Sequence, residues 1–530
     1  MQFYFKGETM MKAKLINLSL EEKIRFLVSN EKNTLGSLEK YVFPKITFSN
    51  ESVSYTDTDK KIFAFPSDVM LIQSFDDELI EKVFDVKFRN LSCTQNLKYN
   101  YISSEDNYTE DSFLFSKFQI SKAKAMNENS FFRAIDGEVN DLNWINYFYF
   151  IDKIFFKKFN TVLCYSKEQY DKYKKLPYIQ YIIGNSSKFE EIEYYLQNGV
   201  LFSCYTGKDY EELISYLLKK TGIESLNNKD RKSISVSQID LMIDKIFTIF
   251  EETKNKKENN ILEENTDIYL RSCLDSIVLL KDEKRLLPLK REKKVSIIGD
   301  FFSNKEYIEE ICNHQCSSKI TGDEIINNYY NINYVGFAHG YLKEKNIENL
   351  ISFSAIDLVQ KSDLAVIYLR ANDGIISNDQ LDLVNKMIET KKDLIVVLDA
   401  DNYVSIPFYD KVSTILYVAG GGEKVHDAIL NVLSGEKCPS GRITKKWNVS
   451  NSIELPFGYG LSYGNFEYSN LEVNNKVVSF NILNISNEIC ISVPQLYIRL
   501  NDKSSSFYKP QLRGYKKVSI SPEKMIKVEF

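Results

Sequence analysis

The chain has 530 residues, with 68 Lys and Arg against 73 Asp and Glu, a formal charge of −5, and 43% hydrophobic and 27% charged residues. That balance excludes a disordered chain and a cationic nucleic-acid binder, and at roughly 150 residues per domain it predicts three or four domains. Gly (21), Pro (10) and His (3) are scarce, and residues 1–265 hold 7 Gly, 3 Pro and no His, which excludes histidine chemistry from the first half.

Met1 to Leu15 is polar and mixed, without the apolar core of a secretory signal. No apolar run reaches the about 18 residues that span a bilayer. Eight cysteines are too few for a disulfide scaffold. The expectation is a cytoplasmic protein with free thiols and no membrane or nucleic-acid partner.

Ser19 and Glu22 form a capping-box pattern that opens a helix over Leu20–Val28. Asp76-Asp77-Glu78 opens a second, with Leu79, Ile80, Val83 and Phe84 on one face. Trp144 to Phe159 carries an aromatic stripe near helical spacing that reads as core. Short buried strands are predicted at Lys45–Phe48, Thr161–Tyr165, Tyr178–Ile183 and Val200–Cys204. Such alternation favours a parallel α/β layout.

Residues 251–266 are almost wholly polar and read as a helix end plus linker. From Ser276–Leu280 a second α/β unit begins. Its strands are predicted at Val295–Ile298, Ile332–Val335, Leu364–Leu369, Leu394–Leu398 and Ile415–Val418, with helices at Ser354–Lys361, Asn378–Thr390 and Glu423–Leu433. Gly420-Gly421-Gly422 fits a strand–helix turn, or an anion seat at a helix start. Cys312-Asn-His314-Gln-Cys316 has the look of a metal clip, but no second ligand pair stands at the required spacing, so no metal and no cofactor is expected. From Phe466 the pattern turns to period two. Val477–Leu483, Val493–Leu500, Tyr515–Ile520 and Ile526–Phe530 predict an antiparallel sandwich. The sequence stops inside a strand-like run, which predicts a sandwich lacking its closing strands.

Four segments of the second half resemble glycoside hydrolase family 3, the group of many bacterial β-glucosidases. They are Arg271–Leu289, the Lys437-Cys-Pro-Ser-Gly-Arg-Ile443 run, Leu455-Pro-Phe-Gly-Tyr-Gly-Leu-Ser-Tyr463, and the Gln495-Leu-Tyr497 and Leu512-Arg-Gly-Tyr515 pair. They are turn and packing motifs and speak to fold before chemistry. In the first half, Leu18–Lys23, Phe65-Pro66-Ser67 through Leu79, and Ser103–Asp106 are similar to segments of the family's (β/α)₈ barrel. The resemblance implies an α/β multidomain protein. It has a degenerate TIM-like barrel over 1–250, a linker and domain opening over 251–290, an α/β sandwich over 291–463, and a fibronectin type III-like β-sandwich over 464–530.

The family retains anomeric configuration, which takes one carboxyl as nucleophile and another as acid/base. The segment matching its nucleophile is Tyr181–Ser186, and Asn185 takes the Asp place. An amide is a poor nucleophile and offers no charge to an oxocarbenium ion. The sugar-gripping positions match Asn50, Lys122 and Asn127, and Val139–Leu142 lacks the family's Arg. The acid/base loop matches Arg370–Asp379, which has no Glu. Asp373 and Asp379 are the stand-ins, and Asp379 also fits a helix N-terminus. Ser186 stands where the family has a Trp ring, and the whole chain has 2 Trp.

Three functions fit these residues. One is a homologue that has lost glycosidase activity and acts as a scaffold, carbohydrate-related binding or partner protein. Another is an active β-glycosidase with relocated carboxylates, for instance Glu51, Glu190, Glu191 or Asp209. The third is a decayed or truncated gene product. The ligand class implied is a β-linked glycoside or oligosaccharide, and a protein partner or a homo-oligomer is compatible with each.

Overall fold

The computed structural model describes residues 18–28, 34–36, 46–49, 64–92, 97–102, 109–129, 133–136, 161–164, 166–175, 181–203, 209–221, 234–254, 266–311, 319–340, 348–372, 374–499 and 510–530. They fall into two compact units. One lies within 1–53, 84–107 and 122–263, the other within 54–83, 108–121 and 264–530. Residues 64–83 and 109–121 thus group with the second half of the chain.

In the first unit the helix Leu20–Leu27 starts where its capping box predicts. The Glu22 N–H donates to Ser19 Oγ at 3.2 Å, and Glu22 Oε2 accepts from the Ser19 N–H at 2.9 Å. Its buried face joins one core with Ile183, Leu201 and Phe202 and with the helices Phe189–Gln197, Tyr210–Thr221 and Val236–Lys254. Lys23 on that helix pairs with Asp240 at 2.7 Å.

Seven strands form one sheet in chain order: β1 (Thr34–Leu35), β2 (Ile46–Ser49), β3 (Leu97–Ile102), β4 (Arg133–Asp136), β5 (Thr161–Cys164), β6 (Tyr181–Asn185) and β7 (Leu201–Ser203). From β2 onward every neighbour is parallel. The first strand departs from the all-parallel expectation, because β1 runs antiparallel to β2. A parallel crossover takes a dozen or more residues, and the connection from Leu35 to Ile46 is too short for one. The aromatic stripe at Trp144–Phe159 lies outside the described residues.

The second unit is built on a six-stranded sheet of β8 (Val278–Asp282), β9 (Lys294–Ile298), β10 (Asn333–Ala338), β11 (Leu364–Ala371), β12 (Asp393–Ala400) and β13 (Thr414–Val418). Its order is β10-β9-β11-β12-β13-β8, and only β8 is antiparallel. Strands β11 and β13 are buried at every residue, as apolar runs covered on both faces must be. The helix Asp77–Ser92 opens with Asp76 Oδ1 accepting from the Leu79 N–H at 2.9 Å, and Leu79, Ile80, Val83 and Phe84 are all buried.

Three of the motifs that carry the family resemblance clasp one another by backbone. The N–H of Gly441 donates to Ile277 O, that of Ile443 to Tyr459 O, that of Gly458 to Ile443 O and that of Leu461 to Leu279 O. Short β14 (Trp447–Asn448) and β15 (Glu454–Leu455) pair between them.

Beyond Phe466 lie β16 (Phe466–Asn474), β17 (Val477–Asn484), β18 (Cys490–Ser492), β19 (Gln495–Ile498), β20 (Gln511–Tyr515), β21 (Val518–Ile520) and β22 (Met525–Glu529). They form antiparallel sheets β16-β17-β22, β18-β21 and β19-β20 around Ile482, Ile520 and Val528. The single strand predicted at Tyr515–Ile520 is two, because Lys517 between them turns inward. Its Nζ donates to Asp275 O at 2.7 Å and to Ser440 Oγ at 2.9 Å.

His426 offers a stability test. It is buried among Phe302, Tyr307 and Tyr368, with Nε2 2.8 Å from Phe301 O. Burial holds its pKa below the ordinary histidine value. The unfolded chain therefore binds the proton more tightly. His426 contributes stability above about pH 6.5 and loses it as the pH falls. The melting temperature is expected to drop on acidification from pH 7.5 to 5.5. In His426→Gln that drop should be smaller, and equal slopes in both proteins would disprove the assignment.

Candidate functional site

Strand β6 carries Asn185 to its carboxyl end, where the backbone pairs with Ser203 of β7 and the preceding Gly184 pairs with Cys164 of β5. In parallel α/β sheets the carboxyl ends of the strands are where ligands bind. The side chain of Asn185 lies outside the described residues. Behind the strand end, the buried Tyr195 of helix Phe189–Gln197 packs so tightly that a Cβ on Gly184 would stand 2.5 Å from its ring.

The turn after Asn185 is tied down by its own polar groups. Ser186 Oγ donates to Glu191 Oε2 at 2.6 Å and accepts the Lys188 N–H at 3.1 Å, and Lys188 Nζ lies 3.5 Å from Glu191. Among the described relocated-carboxylate candidates, Glu191 is the one whose contacts bind it to this strand end. Glu190 and Asp209 are exposed, and Glu51 lies outside the described residues.

Lys122 and Asn127 share the helix Ser112–Asn129. Lys122 is buried with its Nζ 4.7 Å from the centre of the Phe84 ring, and Lys87 Nζ stands 4.6 Å from the same ring. This cation–π arrangement gives Lys122 a packing role that sequence reading did not foresee. The Asn127 side chain and all of Asn50 lie outside the described residues.

In the second unit, the segment that matches the acid/base loop follows β11 directly. It closes as a four-residue turn, with the Asn372 N–H donating to Ile375 O at 3.1 Å and the Ile375 N–H to Asn372 O at 3.0 Å. Gly374 takes φ +76°, and Asn372, Gly374 and Ile375 are exposed. Asp373 falls inside this turn and outside the described residues. Asp379 is exposed in the first turn of the helix Asn378–Glu389, which Ser377 caps by accepting from the Gln380 N–H.

A charged cluster at the carboxyl ends of β11 and β12 escaped the sequence reading. Arg370 lies 3.1 Å from Asp399 and 2.8 Å from Asp401. Tyr307 donates to Asp399 Oδ2, and the Gly420 N–H donates to Asp399 Oδ1 at 3.0 Å. Burial raises the Asp399 carboxyl above the ordinary carboxylate range, against the pull of Arg370. The available signal was Asp399-Ala-Asp401 at the end of an apolar strand.

Protein groups also occupy the triple glycine. Gly420 O accepts from the Ser67 N–H, Gly421 O from the Cys273 thiol, and Asp399 holds the Gly420 N–H. These contacts make it a strand–helix turn. Among the described residues no three His, Cys, Asp or Glu side chains gather as metal ligands, and no helix is long and apolar enough to cross a membrane. Cys312–Cys316 lies outside the described residues.

Residues 277–476 match the glycosyl hydrolase family 3 C-terminal domain. The chain is 28% identical to thermostable β-glucosidase B of Acetivibrio thermocellus over 347 residues, covering 53% of this chain and 45% of that protein. It spans about half the length of the curated relatives it matches. A Bifidobacterium adolescentis GH3 β-glucosidase structure superposes with a TM-score of 0.75 at 15% identity, covering 97% of this chain and 89% of that one. A Listeria innocua β-glucosidase in complex with glucose gives 0.72 at 15% identity, covering 89% and 80%. At that identity the two structures speak for a shared multidomain α/β fold.

Proposed function

We propose, from the premise that this chain is a β-glucosidase-like protein carrying the family 3 C-terminal domain, that it keeps the family scaffold without glycosidase turnover. It serves instead as a carbohydrate-related binding, regulatory or partner protein. The observation that carries this reading is Asn185 at the carboxyl end of β6. A retaining mechanism needs a carboxylate there and a second carboxyl about 5–5.5 Å away. An amide cannot form the glycosyl–enzyme ester, and its dipole is a weak substitute for a full charge beside an oxocarbenium ion. The tight turn Asn372–Ile375 supports the same reading, because it leaves no extended acidic loop after β11.

The scaffold is a TIM-like barrel derivative over 1–250, an α/β sandwich over 291–463 and a fibronectin type III-like module over 464–530. The approach of β1 to β7, the two ends of the strand order, supports sheet closure in the first. The antiparallel sheets around Ile482, Ile520 and Val528 support the last. Its ligand class is a β-linked glycoside or oligosaccharide, held without cleavage.

The test is hydrolysis of 4-nitrophenyl β-D-glucoside and β-D-xyloside by the full chain. Nitrophenol release is expected at the buffer background, and Asn185→Asp is expected to stay there too, because the acid/base is also missing. Turnover that Glu191→Gln abolishes would overturn the reading and make Glu191 the relocated carboxylate. Full activity from Asn185→Asp alone would overturn it as well.

A further inference from the structure

We infer that Cys438 and Cys490 form a thiol–disulfide exchange site, which takes an oxidised low-molecular-weight thiol such as glutathione disulfide and closes to an internal disulfide. Cys438 precedes the Pro439-Ser440-Gly441-Arg442 turn and is half-buried. Cys490 opens β18 and is 1% exposed. Both sulfurs sit on the turn at Ser462–Gly464. Cys438 Sγ lies 3.0 Å from Ser462 Oγ, and that hydroxyl is 3.1 Å from Ile491 O, one residue past Cys490. On the other side of the turn, a Cβ on Gly464 would stand 2.9 Å from Cys490 Sγ, so glycine leaves the room that sulfur needs.

The surroundings divide the two thiols into an attacking and a resolving partner. The neighbouring Cys490 thiol favours the thiolate of Cys438, and the Ser462 hydroxyl and the backbone at Ile491 and Tyr463 add to it. These groups hold Cys438 well below the ordinary thiol range. Arg442, buried four residues on, supplies a positive charge; burial pulls it down to about 10, and it stays charged at neutral pH. Cys490 moves the opposite way, through the neighbouring Cys438, its burial and the nearby Glu488. By contrast, burial pushes Cys164 up to about 12, and Cys273 also moves up, its thiol spent on Gly421 O.

The exchange balances in two steps. The Cys438 thiolate attacks one sulfur of the glutathione disulfide, forming a mixed disulfide and releasing one glutathione thiolate. Cys490 then loses its proton to solvent and attacks the Cys438 sulfur. The second glutathione thiolate leaves, and the Cys438–Cys490 bond forms. The protein loses two electrons and one disulfide oxidant is reduced. The product fastens the Pro439–Arg442 turn to the first residue of β18.

The test incubates the full chain with glutathione disulfide, blocks remaining thiols with N-ethylmaleimide and maps the peptides by mass spectrometry. The expected product is one cross-linked peptide pair joining Cys438 and Cys490, with Cys164 and Cys273 alkylated. Cys490→Ser should accumulate glutathione on Cys438, and Cys438→Ser should leave Cys490 alkylated without either product. On the unmodified protein, iodoacetamide should react with Cys438 with a pH midpoint below that of a free thiol. Overturning results are a stable glutathione adduct on Cys438 of the parent chain, an unmodified Cys438, or a midpoint at or above the free-thiol value.

Discussion

Replacing Arg370 by Met is expected to cost about 3–5 kcal/mol of folding stability at neutral pH, the loss typical when one partner of a buried ion pair is removed. Asp399 is 4% exposed and was placed in the interior by the β12 strand that carries it. Its carboxylate accepts from Tyr307 and Gly420, but Arg370 is the cation in contact with it. Methionine keeps most of the volume and removes the charge. A carboxyl held above its ordinary range in the fold contributes stability below the unfolded value of about 3.9 and loses it as the pH rises. The deficit of the variant should therefore be widest at pH 7 and narrow toward pH 4. Adding Asp399→Asn should return part of the loss. Denaturant midpoints across pH check this, and a flat deficit of under about 1 kcal/mol, the value of a surface pair, would refute the buried-pair account.

Gly441→Ala is expected to cost about 1–3 kcal/mol or more, for a steric reason that no side-chain motion relieves. The added methyl would stand 2.6 Å from Ile277 O and 2.7 Å from the Ser276 carbonyl carbon, both backbone atoms of the segment leading into β8. The Gly441 N–H donates to that same Ile277 O at 2.9 Å, so separating the strands to admit a methyl also breaks the bond. Moreover, Arg442 on the next residue donates to Gly441 O at 2.8 Å, which anchors the peptide from its far side. A lower melting temperature with unchanged far-ultraviolet circular dichroism at 20 °C is the expected outcome. A variant as stable as the parent would show that the segment moves freely.

The second half was legible in the sequence because its signals are letters of backbone geometry. Gly441, Gly458 and Gly460 stand where chains meet closely, and the runs over β11, β12 and β13 are apolar because helices cover both faces. The edge strand β8 and the split at Lys517 were less legible, since each depends on a partner far away in sequence. The charged cluster around Arg370 was invisible for a related reason. A short helix, two strands and the turn after β13 bring Tyr307, Arg370, Asp399 and Gly420 together from positions far apart along the chain. In the first half, Asn185 was placed at the end of the strand that carries it, while the packing of the Lys122 ammonium on Phe84 was not legible. A cation over a ring leaves no periodic trace that would reveal it.

The grouping of residues 64–83 and 109–121 with the second half has a consequence for synthesis. Met70 belongs to the core that β8 to β13 build, Phe65 stacks on Tyr269 at 4.0 Å, and Phe75 meets Tyr515 at 5.1 Å. A ribosome adding about 5–20 residues per second makes those partners on the order of tens of seconds after the segments they cover. Through that interval the apolar side chains of 64–83 wait on the nascent chain for strands not yet made. Early termination anywhere before Tyr515 leaves Phe75 without that ring, so a contact of residues made early waits on residues made some 440 positions later.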